Sequence, residues 1–467
     1  MKKILFPFLL FISTITVHSQ ITDSLEVVTV QEFFFEGNNR TKPWYISREF
    51  SFEEGGQYQR RELDSMFVWD RNRIYNTNLF NEIDFSVIDK SDGKVDILVT
   101  VQERWYFYPK VLFKLADRNF NDWWVNRGRD LSRVNLGLQL TQYNFRGRGE
   151  RLRVVAQTGF ENWVNFSYDI PYIDKKQKVG LLVQTGYVES KNLVYNTVDN
   201  VRAFASSETE KLRRLYRNEI QFSYRPKFYA YHFASIIHRS THIADTIAQL
   251  NPSYFENGAT SQKYFRLSYG YTWDKRNNRN YPTNGEWFNF TLSKVGLTKK
   301  DDVNFWQAGT SLSKYIDLGK DNYFATNLIG VLSLPAPKSY FNYPTIGLVR
   351  HTLRGYDLNV IEGSSYIIHK SEIKRKLFSI EKDISKFMPI KQFPTFPVTM
   401  FGKVLFDQGY AKGFSGYTGS DLLDDQYLYS YGVGFDFLLV YDFLVKLEFT
   451  RNKLGNNNFF LNFKYTL

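Results

Sequence analysis

One arginine and two carboxylates carry the clearest specific chemistry in this sequence. Arg354 lies in the stretch Leu353-Arg354-Gly355-Tyr356, within a long polar connection over residues 336–362. Glu372 and Asp407 lie downstream, each in its own strand-like run. A guanidinium presents a planar fork that binds carboxylates through charge-assisted hydrogen bonds. We predict that the connection folds inward and that Arg354 binds both acids; the competing interpretation is a solvated surface arginine.

Enzyme chemistry has little support in the sequence. The chain contains no cysteine, which excludes disulfides, thiolate catalysis and cysteine metal sites. Its 6 histidines are not clustered, and the H-E-x-x-H, G-x-S-x-G and Walker patterns do not occur. We therefore predict no catalytic residue, no metal and no cofactor.

The composition predicts a membrane-embedded β-barrel. Of the 467 residues, 18% are aromatic, whereas mean hydropathy is −0.40. No internal stretch supplies the roughly 18 to 20 apolar residues that a membrane helix needs. A transmembrane barrel reconciles these properties because only alternate residues of its strands face lipid. A secreted all-β sandwich shares several of them, so composition leaves that alternative open.

The charge balance is basic. Lysines and arginines number 60 against 48 acids, a formal net charge of +12. Nucleic-acid binding is one interpretation of such an excess. However, the basic residues are scattered along the chain, so a solvated surface is the simplest interpretation and attraction to anionic lipid headgroups the next. We predict no nucleic-acid partner.

Residues 1–19 have the properties of an export signal. Lys2 and Lys3 precede an apolar run over residues 4–17, and Ser19 offers a small residue at the cleavage position. Pro7 argues against a retained anchor. We predict a mature chain that begins near Gln20, in a compartment of the cell envelope.

Residues 26–104 predict a small independent α+β domain. The order is β-α-α-β-β, and Pro43 stands in the first turn of the first helix, where its missing N–H costs little. The two final strands are joined by a strong turn signal over residues 89–94. The predicted strands cover residues 27–35, 83–88 and 95–102. The first predicted helix begins at residue 41, and the second spans residues 61–77.

Residues 105–467 alternate with the period of a barrel strand. Apolar side chains from Phe265 to Trp273 share one face, and polar ones from Arg266 to Asp274 share the other. About sixteen such segments occur, joined alternately by short and long connections, as in an all-β transmembrane barrel of the outer membrane. The connection predicted over residues 378–397 is longer than an inner turn should be.

Within this order, several stretches resemble a POTRA domain. They are Phe33-Phe34-Phe35-Glu36-Gly37-Asn38, Gly55-Gly56, Leu79-Phe80 and Val101-Gln102-Glu103-Arg104. The resemblance implies a periplasmic domain whose exposed sheet edge accepts an unfolded client as an added strand. An inert spacer is the alternative.

Four further stretches resemble the BamA/TamA superfamily of outer-membrane assembly and translocation barrels. One is the glycine-rich first inner turn, with Gly147 and Gly149. A second matches D-x-R-D…P-x-x-G, with Asn277 in place of the second acid; its residues are Asp274, Arg276, Pro282 and Gly285. The third is the loop motif, with Leu353 in place of the usual valine. The fourth comprises the acids that receive the arginine of this loop motif. We call the residues that would hold the loop inside the barrel the lock; they are Arg354, Gly355, Tyr356, Glu372, Asp407 and Gly409.

The resemblance implies a mechanism without catalytic residues, in the outer membrane of a Gram-negative bacterium. The barrel would close between its first strand, residues 108–116, and its last, residues 459–467, and a client strand would pair with the edge exposed when this seam opens. Pro109 cannot donate to a ladder, which would weaken the seam. The seam residues are Tyr108, Pro109, Phe459, Phe463, Tyr465 and Leu467.

The implied partners are client outer-membrane or secreted polypeptides, outer-membrane lipid, and periplasmic proteins or lipoproteins. The general assembly factor of this superfamily carries several POTRA domains, and this chain has room for one, which favours a specialised assembly or secretion barrel. Two alternatives remain open: a passive porin-like channel and a polypeptide exporter of the two-partner-secretion type. A porin needs neither the small N-terminal domain nor a loop that an arginine holds inside the barrel.

Overall fold

The computed structural model of the chain describes residues 26–116, 122–347, 351–383, 395–413, 422–439 and 443–464. The predicted export signal, residues 1–19, lies outside this part.

A small sheet with two helices comes first. Strands β1 and β4 pair in parallel, and each has an antiparallel neighbour, giving the order β2-β1-β4-β3. The predicted β-α-α-β-β order is confirmed, with one short strand, β2, added after Gly55-Gly56. The elements are β1 Val27–Glu36, α1 Pro43–Ser47, β2 Gln57–Gln59, α2 Arg60–Tyr75, β3 Phe80–Asp89 and β4 Lys94–Glu103.

This domain has its own hydrophobic core. Helix α2 presents Leu63, Phe67 and Ile74 to the sheet because residues four and seven apart share one helical face. Phe67 stacks on Phe85 of β3 with ring centroids 4.8 Å apart. Leu63 and Ile74 are fully buried, as is Ile97 at the centre of β4. The core fixes α2 against the sheet, and α2 in turn contributes side chains to the contact with the second sheet.

The second part of the chain forms a sheet of sixteen strands in which every neighbouring pair is antiparallel. The predicted barrel fold and strand number are confirmed. The elements are β5 Phe107–Leu115, β6 Val134–Phe145, β7 Glu150–Gly159, β8 Glu161–Ile170, β9 Val179–Ser190, β10 Asn192–Val198, β11 Val201–Ser206, β12 Arg213–Lys227, β13 Ala230–Ile243, α3 Asp245–Leu250, β14 Ser261–Asp274, β15 Gly285–Val295, β16 Phe305–Gly319, β17 Asn322–Leu334, β18 Thr345–Ile346, β19 Ile361–Glu362, β20 Ser365–Asp383, β21 Thr395–Lys412, β22 Leu428–Leu438, β23 Leu444–Asn452 and β24 Asn457–Lys464.

Four of these strands lie outside the barrel wall. β10 pairs with β11 and β18 with β19, as two hairpins within long connections. Single helical turns complete the connections, at Asp122–Asn126, Leu131–Arg133, Glu256–Gly258 and Tyr340–Asn342. The hairpin of β18 and β19 brackets the segment that carries Arg354, so that segment has an ordered base.

The strands of the wall alternate as predicted. On β14, Phe265 and Leu267 are 41% and 47% exposed, whereas Ser268 and Asp274 are 5% and 7% exposed. The apolar face therefore points outward and the polar face into the lumen. None of the helices within the described ranges is long and apolar enough to cross a membrane.

The connection predicted over residues 378–397 is wrong. β20 and β21 have 19 and 18 residues, and their pairing continues from Phe378 with Met400 to Asp383 with Thr395. Only residues 384–394 lie between the two strands, and these fall outside the described residues. Strands of this length exceed the roughly 9–11 residues needed to cross a bilayer, so their ends project beyond it. Charged positions at these ends break the lipid-facing alternation, so this part of the two strands lacks the sequence pattern of a membrane strand.

Candidate functional site

Strands β20 to β23 place a cluster of acids on the luminal wall. Glu372 lies on β20, Asp407 on β21 and Glu448 on β23. Asp407 is fully buried, and Glu448 is 3% exposed. Three neighbouring carboxylates repel one another unless cations lie between them. These acids therefore require cations close to them.

Arg354 supplies that charge from the loop. Its Nε and Nη2 donate to the two carboxylate oxygens of Asp407 at 2.8 and 2.5 Å. Its Nη1 donates to Glu372 at 2.8 Å and to Glu448 at 3.4 Å. The contact with Asp407 is the bidentate pairing that an arginine fork makes and a lysine does not. The structure thus brings together the three residues from which the sequence argument started and adds a third acid.

Backbone contacts fix the loop in the same place. The amide nitrogens of Asn452 and Asn458 each donate to the Gly355 carbonyl oxygen at 2.8 Å. Ser430 donates to the Arg354 carbonyl. Asp407 pairs with Ser430, and Ser430 with Asn452, across adjacent strands, so one row across the wall holds the loop backbone. The inward fold rests on this row as well as on the guanidinium.

The residues on either side of Arg354 explain the motif. Gly355 has φ +84°, and a Cβ there would lie 2.9 Å from the Ser430 side chain, so glycine alone fits. The Tyr356 hydroxyl donates to the Tyr429 carbonyl at 3.1 Å. Leu353 is 2% exposed and packs near Gly409, whose Cβ position lies 3.5 Å from the leucine side chain.

Lys403 is the central residue that sequence reasoning missed. Its Nζ lies 2.6 Å from Asp436, 2.6 Å from Glu448 and 3.8 Å from Glu372. The lysine reaches Glu448 across β22, where Gly434 leaves room: a Cβ there would meet Lys403 at 3.0 Å and Glu448 at 3.1 Å. The luminal parity of Lys403 and Glu448, with a glycine on the intervening strand, is the signal that was available in the sequence.

The predicted inner-turn motif lies at the opposite end of the barrel. Arg276 donates to both carboxylate oxygens of Asp274, at 2.7 and 2.8 Å. Gly285 has φ +105°, and a Cβ there would meet the Lys275 carbonyl oxygen at 2.2 Å. Asn277, which replaces an acid of the family pattern, accepts hydrogen bonds from two backbone amides of the same turn, both at 3.1 Å. Asn277 therefore closes the turn without a second negative charge.

This inner turn, residues 275–284, contacts the wall formed by β20 to β23. Tyr281 is 5% exposed, and its hydroxyl donates to Asp436 at 2.9 Å. The Pro282 carbonyl oxygen accepts from Lys374 at 3.2 Å. Asp436 is thus shared between Tyr281 on the inner turn and Lys403 on the wall. The loop arginine and the inner turn meet one continuous cluster of charges.

The first inner turn, residues 146–149, contacts the small N-terminal domain. The backbone N–H of Lys42 donates to the Gly147 carbonyl at 2.9 Å, and the side chain of Asn144 donates to Thr41 at 2.8 Å. A Cβ at Gly149 would lie 2.3 Å from the Tyr45 ring. The two glycines predicted from the family pattern therefore permit close approach between domain and barrel.

We predict that Gly147→Ala loosens this contact. Gly147 has φ +72°, and a Cβ there would lie 2.1 Å from the Arg40 carbonyl oxygen. Limited proteolysis of the purified protein should cut the link between β4 and β5 several-fold faster than in the wild type. Gly319→Ala is the matched control, because Gly319 has φ +79° and its Cβ position meets no described atom within 4 Å. Equal cleavage of both variants would contradict the prediction.

A buried ion pair completes the contact between the two parts. Arg225, at the inner end of β12, donates to both carboxylate oxygens of Glu49 at 2.5 and 2.7 Å. Burial by itself would raise the pKa of Glu49, but the charge and hydrogen bonds of Arg225 outweigh it and lower that pKa to about 2. The pair therefore stays charged throughout the physiological range and holds the domain to the barrel.

The predicted seam residues are only partly within reach. Tyr108 and Pro109 lie on β5, with Pro109 opposite Leu140 of β6. Phe459 and Phe463 lie on β24, opposite residues of β23. Tyr465 and Leu467 lie outside the described residues. β5 and β24 stand at the two ends of the sheet order, and no ladder joins them within the described ranges.

Metal chemistry finds no site in the described part of the chain, where no group of three or more His, Asp or Glu side chains is placed to hold an ion.

Comparison with known families gives the barrel a name. The model described as "Omp85 superfamily domain" matches residues 144–365, and the POTRA model described as "Surface antigen variable number repeat" matches residues 28–104. The chain belongs to the Omp85 superfamily. It is an outer-membrane barrel with a periplasmic POTRA domain, and barrels of this superfamily assemble or transport proteins and are not enzymes. The predicted superfamily and location are confirmed.

Solved structures show the same Omp85 fold. BamA from Haemophilus ducreyi lacking POTRA domains 1-3 aligns with a TM-score of 0.52 at 16% identity, over 94% of this chain and 82% of that one. CdiB from Escherichia coli aligns with a TM-score of 0.56 at 14% identity, over 93% and 75%. At these identities the likeness concerns the fold alone. No curated protein sequence matches the chain.

Proposed function

We propose that this Omp85 barrel inserts or exports client polypeptides at the outer membrane. The observation that carries the proposal is the loop held by Arg354 against Asp407, Glu372 and Glu448. A passive pore gains nothing from three acids bound by one arginine and a loop folded into its lumen. A protein-handling barrel needs one rigid wall against which the rest of the structure can open.

The POTRA domain is the proposed entry point for clients. Its sheet ends on one side in β3, which has ten residues and pairs only with β4 among the described strands. An open edge of that length offers backbone donors and acceptors to an extended segment of another chain. The Glu49–Arg225 pair and the turn around Gly147 hold this edge at a fixed distance from the barrel. Periplasmic or lipoprotein partners would bind to the same domain.

The seam between β5 and β24 is the proposed exit into the membrane. These strands have 9 and 8 residues and end the sheet order on either side. Pro109 lacks an N–H, so β5 has one donor fewer than its length provides. A client strand in lipid must satisfy its backbone groups and would do so by pairing with an opened edge.

Cysteine pairs across the seam test this route. The chain has no cysteine, so pairs with one member in residues 107–115 and the other in residues 457–462 give an unambiguous crosslink. We expect the pairs that form a disulfide to reduce client insertion at least about tenfold, since a covalent seam cannot admit a strand. Reductant should restore insertion, and single cysteines should have no effect. Full insertion through a crosslinked seam would exclude lateral exit and favour export through the lumen.

Export through the lumen, as in a two-partner-secretion system, is the second candidate. A cavity of about 690 Å³ lies inside the barrel, lined mainly by residues of β12 to β17. Such a space suits an extended polypeptide in transit better than it suits a barrel that acts only at its seam. A passive porin is distinguished by conductance: it should stay open and selective with or without residues 26–104.

A further inference from the structure

The lumen has two unlike walls. The wall formed by β20 to β23 is closed by ion pairs around Lys403 and Arg354. The wall of the 690 Å³ cavity instead carries hydroxyl and amide groups interspersed with apolar side chains, and several of these polar groups are bonded to one another. Ser268 and Ser293 share a hydrogen bond of 2.8 Å, and Asn327 donates to Ser313 at 2.7 Å. Such groups can bond to any peptide backbone but select no particular charge.

Arg266 is the exception on this wall. It lies at the middle of β14 on the luminal face and lines the cavity. Its Nε is shielded from solvent and has no hydrogen-bond partner, and no ion pair of Arg266 occurs within the described residues. The other charged groups of the lining are paired: Glu219 accepts from Arg217 at 2.8 Å, and Arg276 from the inner turn binds Asp274.

The neighbours of Arg266 increase the positive charge. Arg217 pairs with Arg239 across β12 and β13, and Ile237 pairs with both Glu219 and Arg266. Three arginines on adjacent strands therefore share one carboxylate. Arg239 donates to the Tyr264 hydroxyl at 3.3 Å and lies over the Phe341 ring, and it has no carboxylate partner within the described residues. Like charges on neighbouring strands destabilise a sheet, and the shielded Nε of Arg266, which has no acceptor, adds to this cost.

We propose that Arg266 binds a carboxylate side chain of a client polypeptide in the lumen. This inference rests on the proposed function. A carboxylate offers two oxygens to the guanidinium fork. The hydroxyl and amide side chains around Arg266 offer hydrogen-bond partners to the backbone of the same segment. The site would hold acidic segments in transit, in contrast to the neutral remainder of the wall.

Binding of a fluorescein-labelled acidic peptide, with alternating Glu and Ser, tests the site. The full chain in detergent micelles is titrated and anisotropy is recorded. We expect Arg266→Gln to weaken binding about tenfold, the effect of losing one charge-assisted hydrogen bond. Arg266→Lys should keep part of the affinity. Arg375→Gln removes an exposed arginine of β20 and should bind as the wild type does. A barrel that remains heat-modifiable shows that each variant is folded.

A peptide with Gln in place of Glu and a competition with inorganic phosphate at constant ionic strength define the ligand. Equal binding of the Glu and Gln peptides by the wild type, or undiminished binding by Arg266→Gln, would overturn the inference. Displacement by phosphate at lower concentration than by unlabelled acidic peptide would overturn it too, because the site would then serve small anions. Client insertion measured in parallel separates the two proposals: peptide binding with no client handling sinks only the proposed function.

Discussion

Replacing Arg354 by alanine should reduce client insertion or export at least about tenfold while the barrel remains folded. Each charge-assisted hydrogen bond contributes about 1.5–3 kcal/mol, and Arg354 donates several, so the inward loop loses most of its population. Asp407 would keep no ion-pair partner among the described residues. Glu448 and Glu372 would still have Lys403 at 2.6 and 3.8 Å, and therefore the wall survives.

The measurement has two arms. Cells expressing the variant are assayed for client insertion or secretion, and the purified variant is assayed for heat-modifiable mobility and for protease cleavage within residues 351–360. Arg354→Lys keeps the charge but not the fork, and it should fall between alanine and wild type. Arg451→Ala, which removes an exposed arginine of β23, is the matched control. Wild-type client handling with a cleavable loop would show that the lock is dispensable for function.

The sequence predicted the parts of this site that strand-like runs and short motifs reveal. Glu372 and Asp407 were predicted in strand-like runs, and the resemblance to the BamA/TamA superfamily identified them as the acids that receive Arg354. The same resemblance gave Gly355 as part of the loop motif, and its φ of +84° is a conformation that glycine adopts readily. Such local signals need no knowledge of which strands are neighbours.

What the sequence could not give is register. Alternation along β23 puts Glu448 on the polar face, yet its contact with Lys403 depends on β21, β22 and β23 being aligned so that Lys403, Gly434 and Glu448 lie in one row. A slip of one residue would send these side chains to opposite faces. The same holds for Tyr281, which reaches Asp436 only because the inner turn folds into the barrel. Long-range alignment therefore decided which charges meet.

Replacing Lys403 by methionine should be the most destabilising change in the wall. Lys403 is buried together with Asp436 and Glu448, and its ammonium group lies 2.6 Å from each carboxylate. Removing one partner of a buried ion pair leaves uncompensated charge and typically costs about 3–5 kcal/mol. Methionine preserves length and apolar contacts, so the loss would come from the charge. We expect the temperature at which the barrel loses its folded electrophoretic mobility to fall clearly below that of the wild type.

Compensating variants distinguish charge from packing. Adding Asp436→Asn and Glu448→Gln to Lys403→Met removes the carboxylates that have lost their lysine partner. This triple variant should recover a large part of the lost stability, since neutral groups of similar shape can replace a buried pair. Lys376→Met breaks the solvent-accessible pair with Asp321 and should change the melting behaviour little. If the triple variant is no more stable than Lys403→Met, the cluster acts through packing. If it recovers stability but not client handling, the charges themselves hold the loop: Lys403 neutralises Asp436 and shares Glu448 with Arg354, and Tyr281 ties Asp436 to the periplasmic turn.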